Sequence, residues 1–209
     1  MAFRVLIVTF LFKFISPAFA QTEGIKVGAY SSFYSFIENR PIPGISVSIV
    51  EADNSRDRLF VPFTLLRFEA PFKIKRKEYA KSRLWGFYDG NNLYISSKNY
   101  TLSTIVRFSK ILHLGRYAYF RGTEEISNKT NWAIGGLIGT IPIGSYFVLD
   151  MSNGDVFPLT IETLKIILRD NPDLYQKLEK DPNGANNLLK YIEKFNSLFR
   201  IKEESYIKQ

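Results

Sequence analysis

The hydrophobic pattern of the chain changes period near residue 160. Before that point apolar residues alternate with polar ones or run in short aromatic blocks. After it they recur every three or four positions. Ile45, Val47 and Ile49 alternate with Ser46, Ser48 and Val50, which predicts a strand with one buried face. Leu59 to Phe68 reads as a further strand, with Pro62 near its start, where a strand tolerates it. Leu84-Trp85-Gly86-Phe87-Tyr88 and Leu93-Tyr94-Ile95 flank Asp89-Gly90-Asn91-Asn92, a loop able to adopt positive φ, and predict a β-hairpin. Alternation there puts Trp85 and Phe87 on one face and Tyr88 on the other. Gly86 predicts a bend or a close backbone approach. Ile105 to Leu114 fits either a strand or a helix. Gly115 breaks it, and Arg116 to Arg121 alternates as a strand. Ser145 to Met151, the Asn153-Gly154 turn and Val156-Phe157 predict a second hairpin.

Helical period appears in two places. Phe33, Phe36 and Ile37 make a short amphipathic helix that Ser31 or Ser32 can cap and that Pro41 and Pro43-Gly44 end. Beyond residue 159, Thr160 is an N-cap, Glu162 suits the first turn, and Leu159 with Leu164 forms a hydrophobic staple. Leu164, Ile167 and Leu168 give the buried stripe. Asn171 and Pro172 restart a helix that buries Leu174, Tyr175 and Leu178, and Asp181 to Gly184 stops it. A last helix from about Ala185 to Phe199 or beyond buries Leu188, Leu189, Ile192, Phe195, Leu198 and Phe199, and its end after Arg200 is expected to fray.

Strands therefore precede helices instead of alternating with them. The expected fold is α+β: an antiparallel sheet of hairpins and meander, followed by about three C-terminal helices packed on it. The sheet-rich part covers 45–158 and the helical part 160–205. No repeat or linker divides residues 21–209, which are expected to form a single domain.

The first twenty residues stand apart. Arg4 makes a short positive lead, Val5 to Phe12 is apolar, and Ala18-Phe19-Ala20 fits the small-x-small cleavage rule with Gln21 as the new N-terminus. Lys13 departs from the pattern. It also interrupts a run too short to cross about 30 Å of hydrocarbon. Residues 1–20 are thus expected to be an export signal. Their loss removes Arg4 and Lys13, taking the formal charge from +8 to +6. The mature protein is then periplasmic, associated with the outer membrane, or secreted.

Composition removes chemistries. With Cys 0 there is no disulfide scaffold, thiolate metal site or cysteine nucleophile, and His 1 excludes a multi-histidine metal centre. No strand leads into a glycine-rich phosphate loop. The lone His113, between Leu112 and Leu114, is a weak general base without a nucleophile and an orienting carboxylate nearby. Asp53, Asp57, Glu69, Asp89, Glu124, Glu125, Asp150 and Asp155 could supply a glycosidase pair if two stood about 5–9 Å apart. Asp89 and Asp155 read more simply as turn residues, and the spacing of a calcium loop is missing. No catalytic residue, cofactor or metal ligand is assigned.

The candidate site is a surface. Lys73, Lys75, Arg76, Lys77, Lys81 and Arg83 carry six positive charges with only Glu78 opposed. The strip could bind an anionic partner; the simpler reading is a solvated edge whose lysines discourage sheet-to-sheet association. Trp85, Phe87, Tyr88 and Tyr94 could stack on a sugar, although cross-strand packing is the commoner use of such residues. The binding assignment takes the six cations with Trp85 and Tyr88. Nucleic acid is not expected as a partner of an exported chain. Thr130 to Leu149 carries no charge and contains Gly135, Gly136, Gly139, Gly144 and Pro142. It fits a buried glycine-rich element better than a membrane segment. Asn99-Tyr-Thr101 and Asn128-Lys-Thr130 are sequons that mark exposed loops.

Several of these segments together carry a resemblance. LWGFYDGNNLYIS at 84–96, LGRYAYFRG at 114–122, the glycine-rich apolar run, Tyr146 to Asp150 with Asn153-Gly154 and Leu159-Thr160, and the helical tail resemble small exported proteins of unknown function from Bacteroidetes-type Gram-negative bacteria. The resemblance covers most of residues 30–200 and implies a compartment and a fold, but no activity. The functional expectation is a non-enzymatic binding or structural module of the cell envelope whose partner is an anionic glycan, lipid or protein. The alternatives are a carboxylate-based hydrolase of envelope polymers and a membrane-associated component using 130–149.

Overall fold

A computed structural model describes residues 24–49, 60–62, 66–69, 84–101, 106–122 and 145–207. Strands β1 (Gly28–Tyr30), β3 (Phe60–Pro62), β5 (Gly86–Tyr88), β6 (Leu93–Ser96), β7 (Arg107–His113), β8 (Tyr117–Arg121), β9 (Tyr146–Asp150) and β10 (Val156–Pro158) form one antiparallel sheet. Its order is β1-β5-β6-β7-β8-β9-β10, with β3 also on β7. β2 (Ser46–Ile49) and β4 (Leu66–Glu69) pair separately. The helices are α1 (Phe33–Ile37), α2 (Ile161–Leu168), α3 (Pro172–Lys180) and α4 (Leu188–Ile207). The fold is α+β, with three helices after the sheet.

Local chemistry explains most of these elements. Ser32 caps α1 by accepting from Ser35 N–H, and the Ser35 hydroxyl accepts from Ser32 N–H in return. Thr160 Oγ1 accepts from Thr163 N–H at 3.2 Å, and Asn171 Oδ1 from Leu174 N–H at 3.1 Å. Each such cap is worth about 1 kcal/mol. In the β5–β6 loop Asp89 Oδ1 accepts from the N–H groups of Asn91 and Asn92, and Gly90 takes φ +102°. Gly154, at φ +86°, closes β9 onto β10.

One expectation changes and one open reading is settled. The run Leu59 to Phe68 is two strands, not one: β3 joins β7 while β4 joins β2. Pro62 ends β3 rather than beginning a longer strand, and proline has no N–H to extend a ladder. Of the segment Ile105 to Leu114, Arg107 to His113 form strand β7. The last helix runs from Leu188 to Ile207.

β7 is the hinge of the sheet. Its first half pairs with both β6 and β3 through Phe108 and Ser109, so those strands take opposite edges. Its second half pairs with β8, where Ile111 faces Phe120 and His113 faces Tyr119, leaving Leu112 as an extra, bulged residue. One face of the sheet carries Tyr30, Tyr88, Leu93, Ile95, Ile111, Ala118, Phe120, Phe147 and Leu149, packed with Phe33 and Phe36 of α1. The other face is covered twice. Ile45 and Val47 cover Ala29, Phe87, Tyr94 and Phe108. Helices α2 to α4 cover Tyr117, Tyr119, Val148 and Phe157.

Candidate functional site

Lys73, Lys75, Arg76, Lys77, Lys81 and Arg83 lie outside the described residues, as does 130–144 of the uncharged run. Trp85 and Tyr88 are described, and they are core residues, 5% and 6% exposed. Both side chains pack inside the domain, not on its surface. Trp85 stacks on Phe36 at 5.0 Å between ring centres and meets Phe33 at 5.8 Å. It also shares a cluster with Tyr88, whereas Phe87 belongs to the opposite face, so strict alternation fails there. Trp85 precedes the strand, which starts at Gly86. A Cβ at Gly86 would lie 2.2 Å from the Tyr94 carbonyl oxygen, the close approach expected of this glycine. Phe87 and Tyr94 are a stacked cross-strand pair at 4.7 Å.

Leu84, the first described residue after the cationic strip, is buried and leads into a fixed point. Trp85 N–H donates to Tyr30 O, and Trp85 O accepts from Ser96 N–H and from Asn99 Nδ2. Asn99 Nδ2 also donates to Ser96 O. Asn99 is thus half-buried and engaged within a 3-10 turn, not the exposed loop residue its sequon suggested. Asn128 lies outside the described residues. The two ends of segment 123–144 are tied by Gly122 N–H donating to Ser145 O at 2.8 Å.

Asp89, Asp150, Asp155 and Asp181 are engaged in structure. Asp89 and Asp155 hold turns. Asp150 Oδ1 accepts from Arg116 at 2.7 Å and from Ser152 N–H and hydroxyl. Asp181 accepts from Asn183 N–H, the Tyr191 hydroxyl and Asn187, with the backbone bond foremost in holding its carboxyl below the usual range. No group of three or more potential metal ligands occurs among the described residues. None of their helices is long and apolar enough to cross a membrane. His113 ends β7, half-buried, with its ring stacked on Tyr119 at 5.6 Å. The Tyr119 hydroxyl donates to Glu193 Oε1 at 2.5 Å. Burial, and then this bond, push the Tyr119 phenol well above its ordinary pKa.

Sequence reasoning missed Asn196. Buried on α4, it accepts from Tyr117 N–H at 3.0 Å and donates to Tyr117 O at 2.9 Å. Its amide thereby imitates one more strand residue beside β8. An amide among apolar helix positions was the only signal, and nothing local says which partner it meets.

These features define an α+β fold with a sheet covered on both faces and, among the described residues, no buried side-chain polar atom left unpaired. Residues 28–198 match the profile of a family of unknown function, DUF6563, and the chain belongs to that family. Comparison with curated proteins and with solved structures finds no match.

Proposed function

We propose that this chain is an exported, non-enzymatic binding module of the cell envelope that holds an anionic component through Lys73, Lys75, Arg76, Lys77, Lys81 and Arg83. The observation that carries the reading is six cations opposed by one carboxylate, running directly into the anchored Leu84–Trp85 step. A charged strip attached to a fixed point can present its charges together, and electrostatic attraction of this kind steers and holds an anionic surface. Trp85 and Tyr88 serve the strip by anchoring its end, not by touching the ligand. The leader pattern of residues 1–20 supports the compartment. The engaged state of Asp89, Asp150, Asp155 and Asp181 supports a role without hydrolysis.

Two measurements test this. Mass spectrometry of the protein recovered from the envelope of expressing cells is expected to show a chain beginning at Gln21; a cytosolic chain beginning at Met1 refutes export. Co-sedimentation with anionic lipid vesicles and with an acidic polysaccharide is expected to weaken steeply as salt rises, because exposed charges are screened within about 10 Å at 0.1 M. Replacing Lys73, Lys75, Arg76 and Lys77 by Ser is expected to weaken it further. Binding indifferent to salt, or to those replacements, refutes the strip.

A further inference from the structure

The chain contains two Asn-Gly steps, Asn153-Gly154 and Asn183-Gly184. In such a step no side chain shields the glycine nitrogen, and the free backbone lets that nitrogen reach the amide carbon of the preceding asparagine. The two steps are alike in sequence, but the fold holds them differently.

Asn153 is exposed, yet both ends of its side-chain amide are held. Its Oδ1 accepts from Asp155 N–H at 2.9 Å, and its Nδ2 donates to Asp155 Oδ2 at 2.7 Å. Gly154 is held as well. Its N–H donates to Asp150 O at 2.8 Å, its φ is +86°, and the Phe33 ring fills the space where its Cβ would stand. To bring Gly154 N onto Asn153 Cγ, the turn between β9 and β10 must release all of these bonds and displace a core ring.

Asn183 stands in the connection between α3 and α4 and is exposed. Among the described residues its side-chain amide has no hydrogen-bond partner, and it does not cap the 3-10 turn Gly184–Asn186 that follows. Gly184 N–H donates to Asp181 O at 3.0 Å. Gly184 is buried, but the atom nearest the position of a Cβ is the end of the Leu178 side chain, at 3.0 Å, which can rotate aside. A lone 3-10 turn of this length is a weak element, and such elements open locally at little cost. Rotation about the Asn183 Cα–C bond, away from its ψ of 14°, then carries Gly184 N toward the free side chain. The bond from Asn183 N–H to Asp181 Oδ1, at 2.9 Å, precedes the rotating bond and need not break.

We infer that Asn183 is a site of spontaneous deamidation and that the fold protects Asn153 from the same reaction. Gly184 N gives its proton to solvent hydroxide and attacks Asn183 Cγ. The new C–N bond closes a five-membered succinimide, the Cγ–Nδ2 bond breaks, and Nδ2 takes a proton from water and leaves as ammonia. Water then opens the ring at either carbonyl and leaves aspartate or isoaspartate. Water is the only reagent, and no electrons are exchanged with an oxidant or reductant. The product carries one more negative charge, two residues from Asp181, and the isoaspartate form lengthens the backbone by one carbon ahead of Gly184.

The purified full chain, held in mildly alkaline buffer with and without urea and followed by peptide mass spectrometry, tests the inference. In the folded chain, a gain of one mass unit is expected at Asn183 at least tenfold faster than at Asn153. In urea the two rates are expected to converge, because unfolding removes the bonds that hold Asn153. Fragmentation that distinguishes the two products is expected to find isoaspartate at position 183. Asn183→Gln is expected to abolish the fast gain, since glutamine would have to close a six-membered ring. No gain at Asn183, equal rates at the two steps in the folded chain, or an Asn153 rate indifferent to urea overturns the inference. Aspartate alone at position 183, or a fast gain that persists in Asn183→Gln, overturns it as well.

Discussion

Phe33 and Gly154 bring the two ends of the sheet together. Phe33 follows β1 at one edge, and Gly154 sits in the turn before β10 at the other. A Cβ at Gly154 would lie 2.5 Å from Phe33 Cγ. The same ring touches Trp85, which enters β5. The sheet is therefore curled so that its first strand and its last hairpin share one phenylalanine. Gly154 is needed twice, for its φ of +86° and for its missing side chain. Gly154→Ala is expected to destabilise the fold by about 2–4 kcal/mol, from backbone strain and overpacking together. Urea unfolding checks this as a lowered midpoint.

Asn196 supplies a second long-range constraint, joining residues 79 apart in sequence. Asn196→Ala removes the partner of both the N–H and the C=O of buried Tyr117. Each buried group left unpaired costs about 1–3 kcal/mol. A loss of about 2–4 kcal/mol is expected, read as a lower urea midpoint at unchanged slope, with faster amide exchange at Tyr117.

Arg116 and Asp150 form a partly buried pair, with side chains 24% and 14% exposed. The Arg116 guanidinium also stands over Tyr117 at 5.1 Å and Phe199 at 5.9 Å. Asp150→Ala removes the ion pair and the acceptor for two Ser152 donors while leaving the cation against the aromatics. A destabilisation of about 2 kcal/mol is expected, the range for a hydrogen bond to a charged group. Thermal unfolding of Asp150→Ala and Asp150→Asn, with Asn the milder, measures it.

Buried tyrosines set an alkaline limit. Burial, then neighbouring Tyr88, pushes the Tyr30 phenol up to about 12, and burial, then the Asp89 charge, does the same for Tyr94. Tyr119 is raised further in the same direction. In the unfolded chain these groups ionise near 10. The unfolded state therefore holds fewer protons than the folded state above pH 10. The stability these tyrosines contribute is complete below that pH and is lost as pH rises toward 12. Denaturation midpoints measured from pH 8 to 12 are expected to hold until about pH 10 and then fall. Ultraviolet titration should show these phenols ionising together with unfolding.

What could be read from the sequence was local. The Asp89–Asn92 and Asn153-Gly154 turns, the Ser32, Thr160 and Asn171 caps, and the burial of Ile192 and Phe195 in the last helix's apolar stripe all stand as expected. In each case the deciding contacts lie within a few residues. Segregation of strands from helices follows from the change of hydrophobic period, so the fold class was legible too. The His113–Tyr119–Glu193 contacts were not. His113 was visible only as a lone histidine, and its neighbours come from other strands and from α4.

The sequence by itself determined where the chain turns, which helices form and which face of each is apolar, because hydrogen bonds and side-chain spacing within a few residues decide those. Only the tertiary structure decided that Leu59 to Phe68 divides between two partners, that Trp85 is interior, that β1 and β10 meet at Phe33, and that Asn196 completes β8. Each of these depends on which distant backbone a segment pairs with. That choice is made by the packing of the whole sheet, and no window of neighbouring residues contains it.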